Sequence, residues 1–204
     1  MKIFDCFMYY NEDFILDLRL NYLNKFIDFF VIVESLYNHK GEKKNLNFNI
    51  KNYQKFKEKI IYIVLDHLPD SIEIINDNDD EDTKDGKYIL NGYRRDNFQR
   101  NYIINGIKNA SLDDLILISD IDEIPNLKNL NLGEIKNRLI FFKQKMCYYK
   151  FNLYLKSYNW VGTRACKKKN LISPQWLRDI KDRSYPFWRI DTFFSKNKYS
   201  DIYF

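Results

Sequence analysis

Three acids, Asp120, Asp122 and Glu123, stand together where an apolar run of strand formers, Leu115 to Ile118, gives out; the segment Asp113 to Pro125 reads DDLILISDIDEIP. Carboxylates at the end of a buried strand lie at the edge of a sheet, where open α/β proteins bind their ligands. An Asp-x-Asp pair there offers hard oxygen donors to a divalent cation whose remaining ligands are substrate phosphate and water. The same residues have a plainer use. Asp favours turns and helix caps, and Pro125 fits a first helical turn, so the bare pair reads as turn or cap before it reads as a metal site.

Two further groups could do chemistry. The stretch Tyr88 to Ile107 has helical spacing, with Tyr93, Asn97, Arg100 and Ile104 near one face and Arg94, Arg95, Gln99 and Asn101 interleaved. Guanidinium forks so close upstream of the acids suit a diphosphate, and suit a solvated helix face equally well. Downstream, Trp160-Val161-Gly162-Thr163-Arg164 joins an indole, a glycine and a cation. That segment could stack on a sugar or base and hold a phosphate, or Trp160 could simply end a strand in the core. Cys6, Cys147 and Cys166 have no paired spacing, which gives neither a zinc site nor a disulfide framework. His39 and His67 lack a His or Cys at metal-ligand spacing, and the acceptor triplet Asn109-Ala110-Ser111 is of a kind that arises by chance.

Strands and helices must alternate to position these residues. Ile3 to Phe7 suits a first strand, followed by a helix over Glu12 to Phe26 with Phe14, Ile15, Leu18, Tyr22, Leu23 and Phe26 at helical spacing. Phe29 to Glu34 is a second strand that, like the run before Asp120, finishes in an acid. Ser35 to Lys51 reads as a loop, Tyr53 to Glu58 as a short helix and Ile60 to Val64 as a third strand. Asp70 to Asp85 has no apolar periodicity and is expected to be an exposed, mobile loop. Leu139 to Phe142 and Met146 to Leu155 are the last two expected strands.

Length and composition narrow the function classes. The chain has 204 residues, enough for one domain with a real core, and 45% hydrophobic with 30% charged residues is the balance of a soluble globular protein. Its 16 Tyr and 16 Phe are as readily a coding bias as a pocket lining. The net charge of +5 is spread along the chain, and the tightest basic run, Lys167 to Lys169, reads as a solvated loop, so nucleic acid is not an expected partner. The longest apolar stretch, Phe26 to Leu36, contains Asp28 and Glu34; no membrane span is expected, and the chain reads as soluble and cytoplasmic unless an anchor lies outside it.

Several segments in the same order resemble glycosyltransferase family 17: Phe4-Asp5-Cys6-Phe7 with Asn11-Glu12, Phe30 to Ser35, Phe98-Gln99-Arg100-Asn101, Leu117 to Pro125, and Trp160 to Arg164. The resemblance covers most of residues 3 to 178. It implies an α/β chain with an A-type glycosyltransferase fold, a Rossmann-like mixed sheet flanked by helices in a single domain, 1–204. It also implies an inverting, metal-dependent transfer of N-acetylglucosamine from UDP-N-acetylglucosamine to a glycan or glycoprotein acceptor. Carried over, Asp120 and Asp122 hold Mn2+ or Mg2+; Glu34, Arg95, Gln99, Arg100, Trp160 and Arg164 bind the donor; and Glu123, nearest the metal pair, is the candidate catalytic base. A membrane-associated or Golgi-like setting would follow if an anchor is missing. The chain departs from the family where a Trp-His-Phe-Ser-like segment belongs: it runs Pro186-Phe187-Trp188-Arg189-Ile190-Asp191, no His follows Trp188, and it ends at Phe204. Truncation at the C-terminus is the matching expectation, and the alternative to an enzyme is a non-catalytic nucleotide-sugar or glycan-binding relative that lacks that part of the site.

Overall fold

A computed structural model of the chain describes residues 1–128, 130–135, 137–147, 153–183, 185–186 and 188–192. Among them six strands form one mixed sheet in the order β3-β2-β1-β4-β6-β5. β1 (Ile3–Tyr9), β2 (Phe29–Ser35), β3 (Ile60–Leu65) and β4 (Leu115–Ser119) are mutually parallel. β6 (Tyr154–Lys167) runs antiparallel to β4, and β5 (Leu139–Cys147) antiparallel to β6. The described residues thus form a single α/β domain. The order in which successive strands are added reverses between β1 and β4, and the carboxyl ends of those two parallel strands flank the crevice where doubly wound sheets bind ligands.

Both faces of the sheet are buried, and the pleat sorts side chains between them. In β1, Phe7 and Tyr9 join a core with Leu16, Leu20 and Leu23 of helix α1 (Asp13–Leu23), while Phe4 and Cys6 join a second core with Ile103, Ile107 and Leu177. β4 divides in the same way: Leu117 faces α1, and Ile116 and Ile118 face the other side. By this alternation Asp5 and Ser119 point toward α1, whereas Asp120 points toward the opposite layer. That layer holds helix α2 (Glu81–Tyr102) and the short helix α3 (Pro174–Asp179). Burial pushes the Cys166 thiol up to about 12 and the Cys6 thiol well above its ordinary value, as befits thiols packed in the core.

The structure corrects several sequence expectations. The face of α1 that packs is Leu16, Arg19, Leu20 and Leu23, while Phe14 is 72% exposed. The apolar spacing is real but the buried stripe is rotated from the one expected, because Leu16, Leu20 and Leu23 fall at i, i+4 and i+7 toward β1. Residues 70–80 of the acidic stretch form turns and loop as expected, but its last part, 81–85, is the start of a helix. Asp80 caps α2 by accepting from Thr83 N (2.7 Å), Glu81 and Asp82 fill its positive first turn, and Asp79 pairs with Lys87 at 2.6 Å. α2 therefore starts earlier than the expected Tyr88, and it ends at Tyr102 in a 3₁₀ turn over Ile103–Asn105. Its buried residues, Asn91 and Arg100, are polar, and Tyr93 and Ile104 are exposed. The expected short helix is a kinked 3₁₀ segment, Ile50–Lys59. Among the described residues no helix begins at Pro125. Trp160 to Arg164 lies within β6 rather than at a strand end, and residues 148–152 of the expected last strand lie outside the described residues. No helix among the described residues is long and apolar enough to cross a membrane.

Candidate active site

The carboxyl ends of β1, β2, β3 and β4 open into a cavity of about 620 Å3 lined by Tyr9 and Tyr10 after β1, Ser35 and Tyr37 after β2, Leu65 and His67 after β3, and Asp120 to Asp122 after β4. α2 supplies a wall through Arg95, Asp96, Phe98, Gln99 and Arg100. Of the residues expected to form the site, Asp120, Asp122, Arg95, Gln99 and Arg100 meet here.

The two aspartates differ in their surroundings. Asp120 is held by two guanidiniums, Arg100 Nη2 on Oδ1 (3.0 Å) and Arg178 Nη2 on Oδ2 (2.7 Å). Burial works to raise its pKa, but the charges of Arg178 and Arg100 and their hydrogen bonds outweigh burial and hold the carboxyl below its ordinary range. Asp122 is exposed on the cavity side, and its carboxylate has no hydrogen-bond partner among the described residues. No cluster of three or more metal-ligating acids, His or Cys exists among the described residues. The donor set therefore fits a cation that takes Asp122, a remaining lone pair of Asp120, and otherwise phosphate and water; it does not fit an all-protein cage.

Arg95 and Gln99 complete the cavity wall. The Arg95 guanidinium packs against Gly41, where the backbone has φ +88°, a conformation that favours glycine, and a Cβ there would lie 2.7 to 2.9 Å from the guanidinium. Arg95 donates to the His39 carbonyl at 2.5 Å; its Nε is buried without a partner and it forms no ion pair among the described residues. Burial lowers its pKa. A half-buried cation with a spare donor on a cavity wall suits an anion entering that cavity. Gln99 donates to the Val33 carbonyl (3.0 Å), which ties α2 to β2 beneath the cavity.

The other expected site residues do not line the cavity. Glu34 is fully buried and accepts from Lys44 Nζ (2.6 Å), Asn47 N (2.7 Å), Phe48 N (3.1 Å) and Tyr62 Oη (2.8 Å). It fastens the loop after β2 to the sheet. Glu123 is buried as well: Oε2 accepts from Asp120 N (2.9 Å), and Oε1 from Trp160 Nε1 (2.6 Å) and Arg178 Nη2 (2.8 Å). Trp160 is thereby turned toward Glu123. Arg164 donates to the carbonyls of Ile180 (2.8 Å) and Gly162 (3.1 Å) in a buried setting, where burial, with Arg178 adding repulsion, lowers its pKa to about 10. Gly162 makes this packing possible. A methyl there would overlap Gln144 Oε1 and lie 3.1 Å from the Glu123 carboxyl carbon.

Three functional positions escaped the sequence reading. Arg178 bridges Asp120 and Glu123 and also donates to the Gly162 carbonyl (2.6 Å); burial opposes its charge, but Glu123 and Asp120 prevail and raise its pKa. Gln175 accepts from Arg100 Nη1 at 2.6 Å. Both lie on α3, which Ser173 caps by accepting from Trp176 N (3.1 Å), with Pro174 in the first turn. That Ser-Pro start was a readable helix signal. Arg19 is the third: an arginine on the buried stripe of α1, opposite an aspartate inside the apolar β1, is a pair the sequence offers only once both faces are known.

Comparison with known proteins identifies the family. A family model described as glycosyltransferase family 17 matches residues 1–173, which include the parallel strands, α2, the Asp120–Glu123 turn and β6. Curated relatives from Homo sapiens and Rattus norvegicus, both named beta-1,4-mannosyl-glycoprotein 4-beta-N-acetylglucosaminyltransferase, are 31% identical over 120 residues, which is 56% of this chain and 20% of theirs. The Mus musculus protein of that name is 30% identical over the same length. The chain spans about a fifth of the length of the curated relatives it matches. A match over residues 1–173 covers well over half of the 204 residues, and the chain belongs to glycosyltransferase family 17.

Proposed function

We propose that this chain is an N-acetylglucosaminyltransferase domain of A-type architecture that takes UDP-N-acetylglucosamine as donor, uses Mn2+ or Mg2+, and inverts the anomeric centre on transfer to a glycan. The observation that carries the reading is the Asp122 carboxylate, without a hydrogen-bond partner among the described residues, on a cavity wall it shares with Asp120, Arg95 and Arg100, at the carboxyl ends of β1 and β4 in a chain of this family. A bound divalent cation would supply Lewis-acid neutralisation of the departing diphosphate.

The chain's own residues have separate tasks in this reading. Asp122 and Asp120 anchor the cation, and Arg95 and Arg100 bring guanidinium donors to the phosphate oxygens. The apolar end of the cavity, Leu65, Leu68, Pro69 and Phe98, accommodates the nucleoside. Glu123 fixes the turn through both oxygens. A base role would require it to release Asp120 N on one oxygen, or Trp160 and Arg178 on the other, so a positioning role suits it better than proton transfer from an acceptor hydroxyl. Trp160 and Arg164 support that turn, and Glu34 supports the loop after β2.

Titration calorimetry of UDP-N-acetylglucosamine, with Mn2+ and then with excess chelator, tests the reading. The expected result is binding that requires the metal and is lost in Asp122→Ala while the circular dichroism spectrum is unchanged. Undiminished affinity in Asp122→Ala would remove the metal assignment. The second reading, a nucleotide-sugar binding relative without turnover, draws on the engagement of each Asp120 oxygen by a guanidinium. It predicts metal-dependent binding with no release of UDP when glycan acceptors are added.

A further inference from the structure

The turn that carries the acids has an unusual support on its inner side. Arg19 of α1 is fully buried, and its Nη1 lies 3.1, 3.0 and 3.0 Å from the carbonyl oxygens of Asp120, Ile121 and Glu123. Nη2 donates to the Ser119 hydroxyl and to Asp5 Oδ1 (2.6 Å), Nε donates to Asp5 Oδ2 (2.8 Å), and the guanidinium lies over the Phe7 ring. One side chain thus spans β1, β4 and the turn that follows β4.

Three carbonyl oxygens converging on one point repel one another unless a donor sits between them, and the planar guanidinium supplies fixed, forked N–H groups that an ammonium cannot reproduce. Because peptide units are rigid planes, fixing the carbonyls of residues 120, 121 and 123 inward fixes the backbone dihedrals between them. The side chains of Asp120 and Asp122 are then delivered to α2 and to the cavity. Asp5 keeps the cation neutralised in the core, as a buried charge requires.

We propose that Arg19 is a positioning residue: by gripping three carbonyls of the Asp120–Glu123 turn from below, it sets the geometry with which Asp122 meets its ligand. The role of that ligand rests on the reading given under Proposed function. A purely architectural Arg19 would stabilise the whole domain alike; a positioning Arg19 has a local effect on the turn.

Native-state hydrogen exchange separates the two without any ligand. The amides of Asp120, Glu123 and Ile124 are hydrogen-bonded within the turn, to Glu123 Oε2, the Asp120 carbonyl and the Asp122 carbonyl. In Arg19→Lys, which keeps the charge beside Asp5, these amides should exchange at least tenfold faster while those of β1 and β2 stay protected. Leu20→Ala, a buried truncation on the same helix, is the control for general destabilisation and should leave the turn amides unchanged relative to the sheet. Equal effects in the two variants, or none in Arg19→Lys, would overturn the proposal. Should Arg19→Lys not fold, Ser119→Ala removes one Arg19 contact and leaves the pair with Asp5; an increase of about threefold confined to the turn is expected, and no increase overturns the proposal.

A second readout joins the turn to the ligand. Manganese-dependent affinity for UDP-N-acetylglucosamine should fall tenfold or more in Arg19→Lys and less than twofold in Leu20→Ala. If the wild-type chain binds no UDP-N-acetylglucosamine, the proposed function fails and the exchange result still decides the role of Arg19.

Discussion

The Asp120–Glu123 turn is held from two sides, and the two grips are built differently. Below it, Arg19 and Asp5 form a fully buried pair, 2.6 Å apart, whose spare donors go only to backbone carbonyls and one hydroxyl. Above it, Arg100 and Arg178 contact carboxylates, and the Asp120 side chain they share remains 40% exposed. A closed pair of the first kind fixes the path of the chain and has nothing left for a ligand. An open set of the second kind balances charge in a place a ligand can enter, so its partners can be exchanged. Equivalent residue types, arginine with aspartate, therefore form a closed scaffold on one side of the turn and an open, cavity-facing set on the other, and burial decides which.

The widest separation between the two grips should appear in stability. Asp5→Asn leaves the Arg19 cation buried and uncompensated, which costs on the order of 3–5 kcal/mol when one partner of a buried pair is removed. Asp120→Asn, at a side chain 40% exposed and with Arg100 and Arg178 still held by Gln175, Asp96, Glu123 and the Gly162 carbonyl, should cost far less. Urea unfolding of both variants checks this order; equal losses would mean that the upper set is as structural as the lower one.

A smaller effect is expected from the brace behind the upper grip. Gly162→Ala places a methyl into Gln144 and against the Glu123 carboxyl carbon. Crowding of this kind costs about 1–3 kcal/mol. Because Glu123 also holds Asp120 N and Arg178, the variant should disturb the turn beyond its effect on stability, read as faster exchange of the Asp120 amide. An unchanged amide would detach β6 from the site.

How much of this was readable follows the same division. The parallel half was legible because its signals are local: the β-branched run of β2 and the apolar run of β4 predict buried strands, and both end near acids that the sheet then gathers. The resemblance named the family and placed Asp120, Asp122, Arg95, Gln99 and Arg100 in one site, and the cavity brings these five together. It did not say which carboxylates face ligand. Glu34 and Glu123 are acids near the site by sequence, yet each spends its oxygens on the protein, and only the geometry of four and three donors respectively reveals that. Arg178 was missed because its partners, Asp120 and Glu123, are more than fifty residues away. The acidic run was read correctly as loop up to Asp80, but its end was not read as a helix start, because composition without periodicity looks the same in a solvated loop and in a capped first turn.

The smallest expected effect is a pH dependence confined to the upper grip, and its sign follows from Asp120. Two guanidiniums hold the Asp120 pKa below its ordinary value in the folded chain, so the native state binds the proton less readily than the unfolded one. The stabilisation this represents is fully present above the unfolded carboxylate value, about 3.9, and is lost as pH falls through the lower native value. Partial exposure and salt screening keep it small. The difference in urea midpoint between wild type and Asp120→Asn should therefore be constant from about pH 7 down to about pH 5 and shrink below about pH 4. Added salt should reduce that difference throughout, whereas the loss caused by Asp5→Asn, deep in the sheet, should be little affected by salt. If the Asp120 difference instead widened on acidification, its carboxyl would have to be stabilised in the protonated form, and the two guanidiniums could not be its partners in solution.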